Sequence, residues 1–181
     1  MNYVTKCPPL KTNVSNNSIR LKTFEEIYAE NHARLHRLAQ RMVDDRESAS
    51  DIVQEVFTAL YEKLAGGNAV LYLNTWLYRV TINKCTDHLN RQKRYRPLDE
   101  VKDIPAEDNL PERAEREHSV QKALSRLKPT ERALLILYSE GFSYKEISDS
   151  TGIRFSSVGK TLARSLVKME EQLKSLSYEM Y

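Results

Sequence analysis

The stretch from Ser139 to Leu176, SEGFSYKEISDSTGIRFSSVGKTLARSLVKMEEQLKSL, allows few folds. Ser143 and Glu146 have the Ser-x-x-Glu spacing of a capping box and predict the start of a short helix. Thr151-Gly152 breaks that helix, and Ser156 or Ser157 is placed to cap a long second one. At about 100° per residue, Val158, Leu162, Leu166, Met169, Leu173 and Leu176 fall on one side of the second helix. Ser157, Lys160, Thr161, Arg164 and Lys168 fall on the other, and no acid interrupts that face before Glu170. A short helix, a tight turn and a long helix with a greasy back and a cationic front form the layout of a helix-turn-helix. Lys and Arg reach phosphates and guanine edges, and Ser and Thr hydroxyls serve phosphate or base. A basic amphipathic helix alone reads as a solvated face. The capped helix and glycine turn ahead of this one shift the reading to duplex DNA.

Composition sets bounds on the rest. The chain has 181 residues, 40% hydrophobic and 29% charged, which suits a soluble globular protein of one domain or two small ones. No apolar run approaches the ~20 residues needed to cross a bilayer, and the N-terminus lacks the apolar core of a secretion signal. The expectation is a cytoplasmic protein without membrane insertion. The net charge of +3 is mild, so a basic surface must come from local segregation. Cys7 and Cys85 offer neither a disulfide framework nor a Cys-x-x-Cys pair, and both read as reduced thiols. His32/His36 and Cys85/His88 could each set two ligands on one helical face, but no third or fourth ligand follows, so no metal or cofactor is expected. The chain has no phosphate-cradling glycine loop and no nucleophile-base pairing, so neither a catalytic residue nor a small-molecule substrate is expected.

Residues 1–22 are rich in Asn, Ser, Thr, Lys and Pro and read as a flexible tail. Thr23, with Glu26 three residues on, predicts a helix whose stripe is Phe24, Ile27, Tyr28, Leu35, Leu38, Ala39 and Met42. Asp44-Asp45 ends it, and Asp44 with Glu47 predicts the cap of a second helix, striped by Ile52, Val53, Val56, Phe57, Leu60 and Leu64 up to Gly66-Gly67. The other side of that helix carries Asp51, Gln54, Glu55 and Thr58, a mostly acidic strip that on its own is a solvated face. A third helix, from about Asn74 to Gln92, is apolar in more than one direction, with Trp76, Leu77 and Val80 on one side and Tyr78, Ile82, Cys85 and Leu89 on another. It therefore packs against more than one neighbour. It ends in Arg91, Lys93, Arg94 and Arg96. With Tyr72, Trp76, Tyr78 and Tyr95 nearby, this cluster suits single-stranded nucleic acid, whose bases stack on aromatic faces. Equally, Trp76 and Tyr78 are core and the basic end complements the helix dipole; the residues alone leave both open. Residues 97–117 are acidic and carry Pro97, Pro105 and Pro111, a linker composition. From 118 on, Val120, Ala123, Leu124 and Leu127 make one stripe, stopped at Lys128-Pro129, and Leu134, Leu135, Leu137 and Tyr138 another, ending at Gly141. The expected fold is all-α: a three-helix domain over 23–96, the acidic linker over 97–117, and a four-helix domain over 118–178.

LHRLAQRMVDDRESASDIVQEVF, NTWLYRVTINKCTDHLNRQKR and ALSRLKPTERALLILYSEGFSYKEISDSTGIRFSSV occur in that order. They resemble the second and fourth conserved regions of bacterial RNA polymerase sigma factors of the sigma-70 family, and having only those two regions is the pattern of the extracytoplasmic-function (ECF) group. The resemblance implies a transcription initiation factor. Asp51, Gln54 and Glu55 would then dock on the clamp helices of the largest subunit of core RNA polymerase. The third helix and the loop before it, with Asn68 and Tyr72, would take the non-template strand of the −10 element. Trp76 matches a position that wedges at the edge of the melted bubble, Asn83 one that faces the DNA, and Arg91, Lys93 and Arg94 positions that hold phosphates. Ser156, Ser157, Lys160, Thr161, Arg164 and Lys168 would lie on the helix that reads the −35 element. Promoter DNA and core polymerase are the implied partners, and an anti-sigma factor is one by group resemblance alone. Ser156-Ser157-Val158-Gly159 departs from the Gly-Thr-Val followed by Lys or Arg common among relatives. Gly159 either costs the helix about 1 kcal/mol relative to alanine or admits closer backbone approach to DNA. Two other functions fit parts of the pattern: a stand-alone helix-turn-helix regulator that binds operators as a dimer, and a protein-binding helical adaptor.

Overall fold

The computed structural model describes residues 23–68, 70–95 and 112–179. The expected tail over 1–22, Cys7, Ala69, Arg96 and the linker up to Pro111 lie outside the described residues. Among the described residues there are seven helices and no strand: α1 Phe24–Val43, α2 Arg46–Ala65, α3 Leu73–Tyr95, α4 Glu112–Ser125, α5 Pro129–Ser139, α6 Tyr144–Thr151 and α7 Phe155–Glu179. The fold is all-α, with α1–α3 before the acidic segment and α5–α7 after it; α4 begins at Glu112, inside the 97–117 stretch expected to be linker, so the C-terminal helices start six residues earlier than the composition suggests.

Local chemistry explains most boundaries. Thr23 and Glu26 exchange side-chain and backbone hydrogen bonds at the start of α1, satisfying donors that an open helix end would leave without partners. Ser143 and Glu146 do the same for α6, and the Ser143 hydroxyl and N–H, both donating to the Glu146 carboxylate, hold that carboxyl below its usual range. Gly152 closes α6 at φ 76°, a left-handed conformation that glycine adopts without a Cβ penalty. Two starts differ from expectation. Asp44 does not cap α2; at φ 59° it closes α1, its N–H donating to the Gln40 carbonyl, and Asp45 takes the cap by accepting from the Ser48 N–H at 2.7 Å. Neither Ser156 nor Ser157 stands ahead of α7, which already begins at Phe155, so both serines lie in its first turn.

The expected stripes of α1 and α2 are buried against each other, with Ile27, Leu35, Leu38, Ala39 and Met42 facing Ile52, Val53, Val56, Phe57 and Leu60. Phe24 is only partly buried, and Tyr28 lies half out on the α1 surface. α3 is buried on two sides, as its doubled apolar pattern requires: Leu77 and Cys85 join the α1–α2 core, and Tyr78 meets Phe142, from the loop before α6, edge-on at 4.7 Å. Burial pushes the Cys85 thiol up to about 12. On α7, Val158, Leu162 and Leu176 are buried, but Leu166 is 47% exposed and Ser165 is fully buried beside it. The Ser165 hydroxyl donates to the Thr161 carbonyl, which satisfies it without a partner from another helix.

Arg132 on α5 was not foreseen. It is 4% exposed, and its guanidinium donates to the carbonyls of Leu124 at 2.8 Å, Ser125 at 2.6 Å and Met42. Met42 lies in the last turn of α1, and Leu124 and Ser125 end α4, so one cation caps two helix C-termini from different halves of the chain. Gln121 adds a bond from its Nε2 to the Arg41 carbonyl at 3.2 Å. The two halves therefore share one packed core.

Arg132→Ala leaves three buried carbonyls without their donor. It is expected to cost about 3 kcal/mol in urea unfolding, with Arg132→Lys recovering only part, because one ammonium cannot fork to three acceptors.

Candidate nucleic-acid interface

Three surfaces stand on this frame. On α2, burial of Ile52, Val53, Val56 and Leu60 turns Asp51, Gln54 and Glu55 outward, and all three are exposed. They line a shallow groove of about 440 Å³ with Thr58, Ala59, Glu62 and Lys84. Lys84 was absent from the expected strip. It comes from α3, and its ammonium sits 2.6 Å from a Glu55 carboxylate oxygen. Next to this groove, and sharing Gln54 and Thr58 with it, lies an aromatic one of about 490 Å³ in which Phe24, Tyr28, Phe57 and Tyr61 gather. Phe24 meets Phe57 and Tyr61 edge-on at 6.2 and 5.7 Å. By their spacing Phe24, Tyr28 and Phe57 read as members of the buried stripes. His32 of the His32/His36 pair belongs to this cluster, its ring 6.3 Å from that of Phe57, while His36 shares a 3.1 Å hydrogen bond with Ser50.

The second surface is α3 and the turn before it. Gly66 and Gly67 end α2, the Asn68 N–H donating back to the Lys63 carbonyl, and Gly67 takes φ 75°. Past the turn, Tyr72 is 70% exposed and its neighbour Leu71 is also outward, a pair of unpartnered apolar faces at the head of α3. Trp76 is half-buried and packs on the core, and Tyr78 is buried, so the core reading holds for Tyr78 and in part for Trp76. Burial, then the Glu140 carboxylate, pushes the Tyr78 phenol up. Seen down the helix, Tyr72, Trp76, Asn83 and Arg94 share one face. Asn83, Arg91, Lys93 and Arg94 are exposed.

The third surface is the front of α7. Ser156, Lys160 and Arg164 are exposed, and Ser157 and Thr161 are half-buried, with the Thr161 hydroxyl donating to the Ser157 carbonyl. Lys168 departs from the expected cationic front. Its ammonium pairs with Glu131 of α5, so it ties α7 to its own domain. Burial alone would raise the Glu131 carboxyl, but the Lys168 ammonium and the Lys128 N–H hold it below its usual range. Gly159 faces away from the front: a Cβ there would meet the Tyr144 ring of α6 at 3.4 Å. The position therefore faces α6, with room there for a Cβ at van der Waals contact.

Comparison with known proteins covers both halves of the chain. The sigma-70 region 2 family model matches residues 27–95, and the sigma-70 region 4 model matches residues 117–169. The ECF RNA polymerase sigma factor SigE of Mycolicibacterium smegmatis is 29% identical over an alignment of 167 residues that covers 88% of this chain and 65% of that protein. SigM of Mycobacterium tuberculosis is 27% identical over 153 residues, covering 83% of this chain and 76% of SigM. The chain therefore spans about two-thirds to three-quarters of the length of these relatives. In fold it is similar to the sigma factor RpoE solved in complex with the anti-sigma factor NepR from Bartonella quintana, with a TM-score of 0.64 at 20% identity over 83% of this chain and 96% of that one. No helix among the described residues is long and apolar enough to cross a membrane.

Two stability outcomes follow from the geometry. Gly159→Ala removes a flexible backbone position at ordinary contact distance from a movable ring, and is expected to stabilise the protein by about 0.5–1 kcal/mol in urea unfolding. Glu55→Gln breaks an exposed ion pair, and the unfolding free energy is expected to change by less than about 0.5 kcal/mol.

Proposed function

We propose, from the premise that this chain belongs to the sigma-70 family and to its ECF group, that it joins core RNA polymerase and directs it to promoters through −35 and −10 elements. One observation carries the reading: a single helical frame presents an acidic strip, an aromatic and cationic helix, and a cationic helix-turn-helix face, in the order of the two matched regions. A stand-alone regulator or a protein-only adaptor would leave at least one of these surfaces without a task.

Each surface has a physical role in this scheme. Asp51, Gln54 and Glu55 present charge and hydrogen-bond acceptors from a helix whose back is locked in the core, which suits a polar helical partner such as the polymerase clamp helices. Lys84 holds Glu55 in place from the neighbouring helix. On α3, Tyr72 offers a stacking face, and each stacked base contributes about 1–3 kcal/mol toward the cost of opening the duplex. Trp76 is anchored on one side by the core and can therefore act as a rigid wedge. Arg91, Lys93 and Arg94 neutralise phosphates along the same strand, with Asn68 and Asn83 available to base edges. On α7, Lys160 and Arg164 stand one turn apart and suit phosphate and guanine contacts in the major groove, with Ser156, Ser157 and Thr161 beside them. Bond formation belongs to the polymerase; this chain supplies address and melting. It works where the polymerase works, in the cytoplasm. An anti-sigma factor is a further proposed partner, since the similar RpoE is solved with one. The domains proposed are region 2 over 23–96 and region 4 over 118–178, with the acidic linker between them.

Asp51→Lys with Glu55→Lys is expected to abolish co-elution with bacterial core polymerase on gel filtration while leaving the unfolding midpoint unchanged. Wild-type co-elution by that variant would contradict the reading. Lys160→Ala with Arg164→Ala is expected to weaken binding of the assembled holoenzyme to promoter fragments and to lower the slope of log affinity against log salt by about 2.

A further inference from the structure

We propose that Phe155, the first residue of α7, reads a base of the −35 element: its ring takes the C5-methyl group of a thymine in the major groove. The proposal rests on the sigma-factor reading above and deepens it at a position that none of the expected site residues occupies. Among the described residues only Leu71 and Tyr72, at the head of α3, leave more of a large apolar side chain open than Phe155, which is 61% exposed. One exposed ring on a protein surface needs no explanation by itself. Its setting does.

Phe155 opens the helix whose N-terminal residues meet base edges in a helix-turn-helix. Arg154 and Ser156 on either side of it are exposed, as is Lys160, and no acid occurs between Gly152 and Met169. The backbone under the ring is fixed, because the Ser157 N–H donates to the Arg154 carbonyl at 2.8 Å and Val158 and Leu162 are buried. At about 100° per residue the ring leaves α7 about 60° from Val158 and about 140° from Lys160, on a flank that Lys160 and Arg164 do not cover. Gly159, one turn further along the same flank, adds no side chain there.

Chemistry then selects the base. On the major-groove edges thymine alone presents a methyl group, whereas adenine and guanine present N7 acceptors with an amino group or O6 beside them, and cytosine presents an amino group. A ring set against N7 or O6 takes water from an acceptor and returns no hydrogen bond, a penalty that methyl contact does not carry. Phe155 thus attracts thymine and disfavours purines, while Arg154 and Lys160 neutralise phosphates around it. Another protein would also cover an exposed ring, but cations nearby and no carboxylate in the segment favour a polyanion.

The test uses holoenzyme assembled from the full chain and bacterial core polymerase, with promoter fragments whose upstream element is randomised and whose remaining sequence comes from a start site the holoenzyme uses. Wild type is expected to enrich a thymine at one fixed position. Replacing that thymine with deoxyuridine, which removes only the methyl, is expected to weaken holoenzyme affinity about fourfold, the effect of one buried methyl group. Phe155→Ala is expected to lose the preference at that position and bind the two fragments equally, with core binding and the unfolding midpoint unchanged. Phe155→Leu, which keeps an apolar side chain, is expected to keep part of the ratio. An enriched element without thymine, equal wild-type affinity for thymine and deoxyuridine, or a ratio that survives in Phe155→Ala would overturn the proposal. Transcription lost in Phe155→Ala with no response to deoxyuridine would set a protein against the ring and overturn it too. Failure to form holoenzyme, or to select any fragment, would instead refute the sigma-factor reading on which the proposal rests.

Discussion

A single buried guanidinium organises this molecule. Helix ends carry the negative pole of aligned peptide dipoles and up to four carbonyls without intrahelical partners. Burying two such ends side by side would be costly without a donor between them. Arg132 is that donor, joining the ends of α1 and α4 while its own backbone belongs to α5. Burial lowers its proton affinity, and Asp44 beside it works the other way. The same crowding, chiefly burial, raises the Asp44 carboxyl. The way the two halves meet depends on this arrangement.

From that joint outward the architecture separates rigidity from recognition. The acidic strip, the α3 face and the α7 front each stand on a helix whose opposite side is locked in the core, so long polar side chains are held on fixed backbones. α3 carries the heaviest demand. It packs on α1 and α2 along one side and on α5 and α6 along another, leaving a narrow exposed face. This is why Trp76 is half-buried and Tyr72, beyond the packed region, is open.

Much of this was legible from residue spacing because it is local. The stripes of α1 and α2, the doubled apolar pattern of α3 and the Ser143 capping box depend on neighbours within a few positions, and periodicity reports such neighbours. What was not legible comes from distant partners or from competition at one site. Asp44 has the capping-box spacing to Glu47 and so reads as the cap; the left-handed closure of α1 takes Asp44 and leaves the cap to Asp45. Lys168 has the spacing of the cationic face of α7, yet Glu131, far away in sequence, claims it. Leu166 lies on the apolar stripe, but the stripe drifts along so long a helix and Ser165 takes the inner position. Lys84 in the acidic groove and Tyr61 in the aromatic one lie where α2 meets another helix, and no pattern within one helix announces them. Arg132 gives no signal at all, since its three acceptors are backbone atoms.

The account stands or falls on whether this chain tells a polymerase where to begin. The direct measurement maps the 5′ ends of RNA made by bacterial core polymerase on fragments of the source genome, with and without the purified protein. The account predicts new start sites that appear only with the protein and share two upstream elements at fixed spacing. The same set of ends in both reactions, after wild-type protein has been added in excess over core, would contradict it.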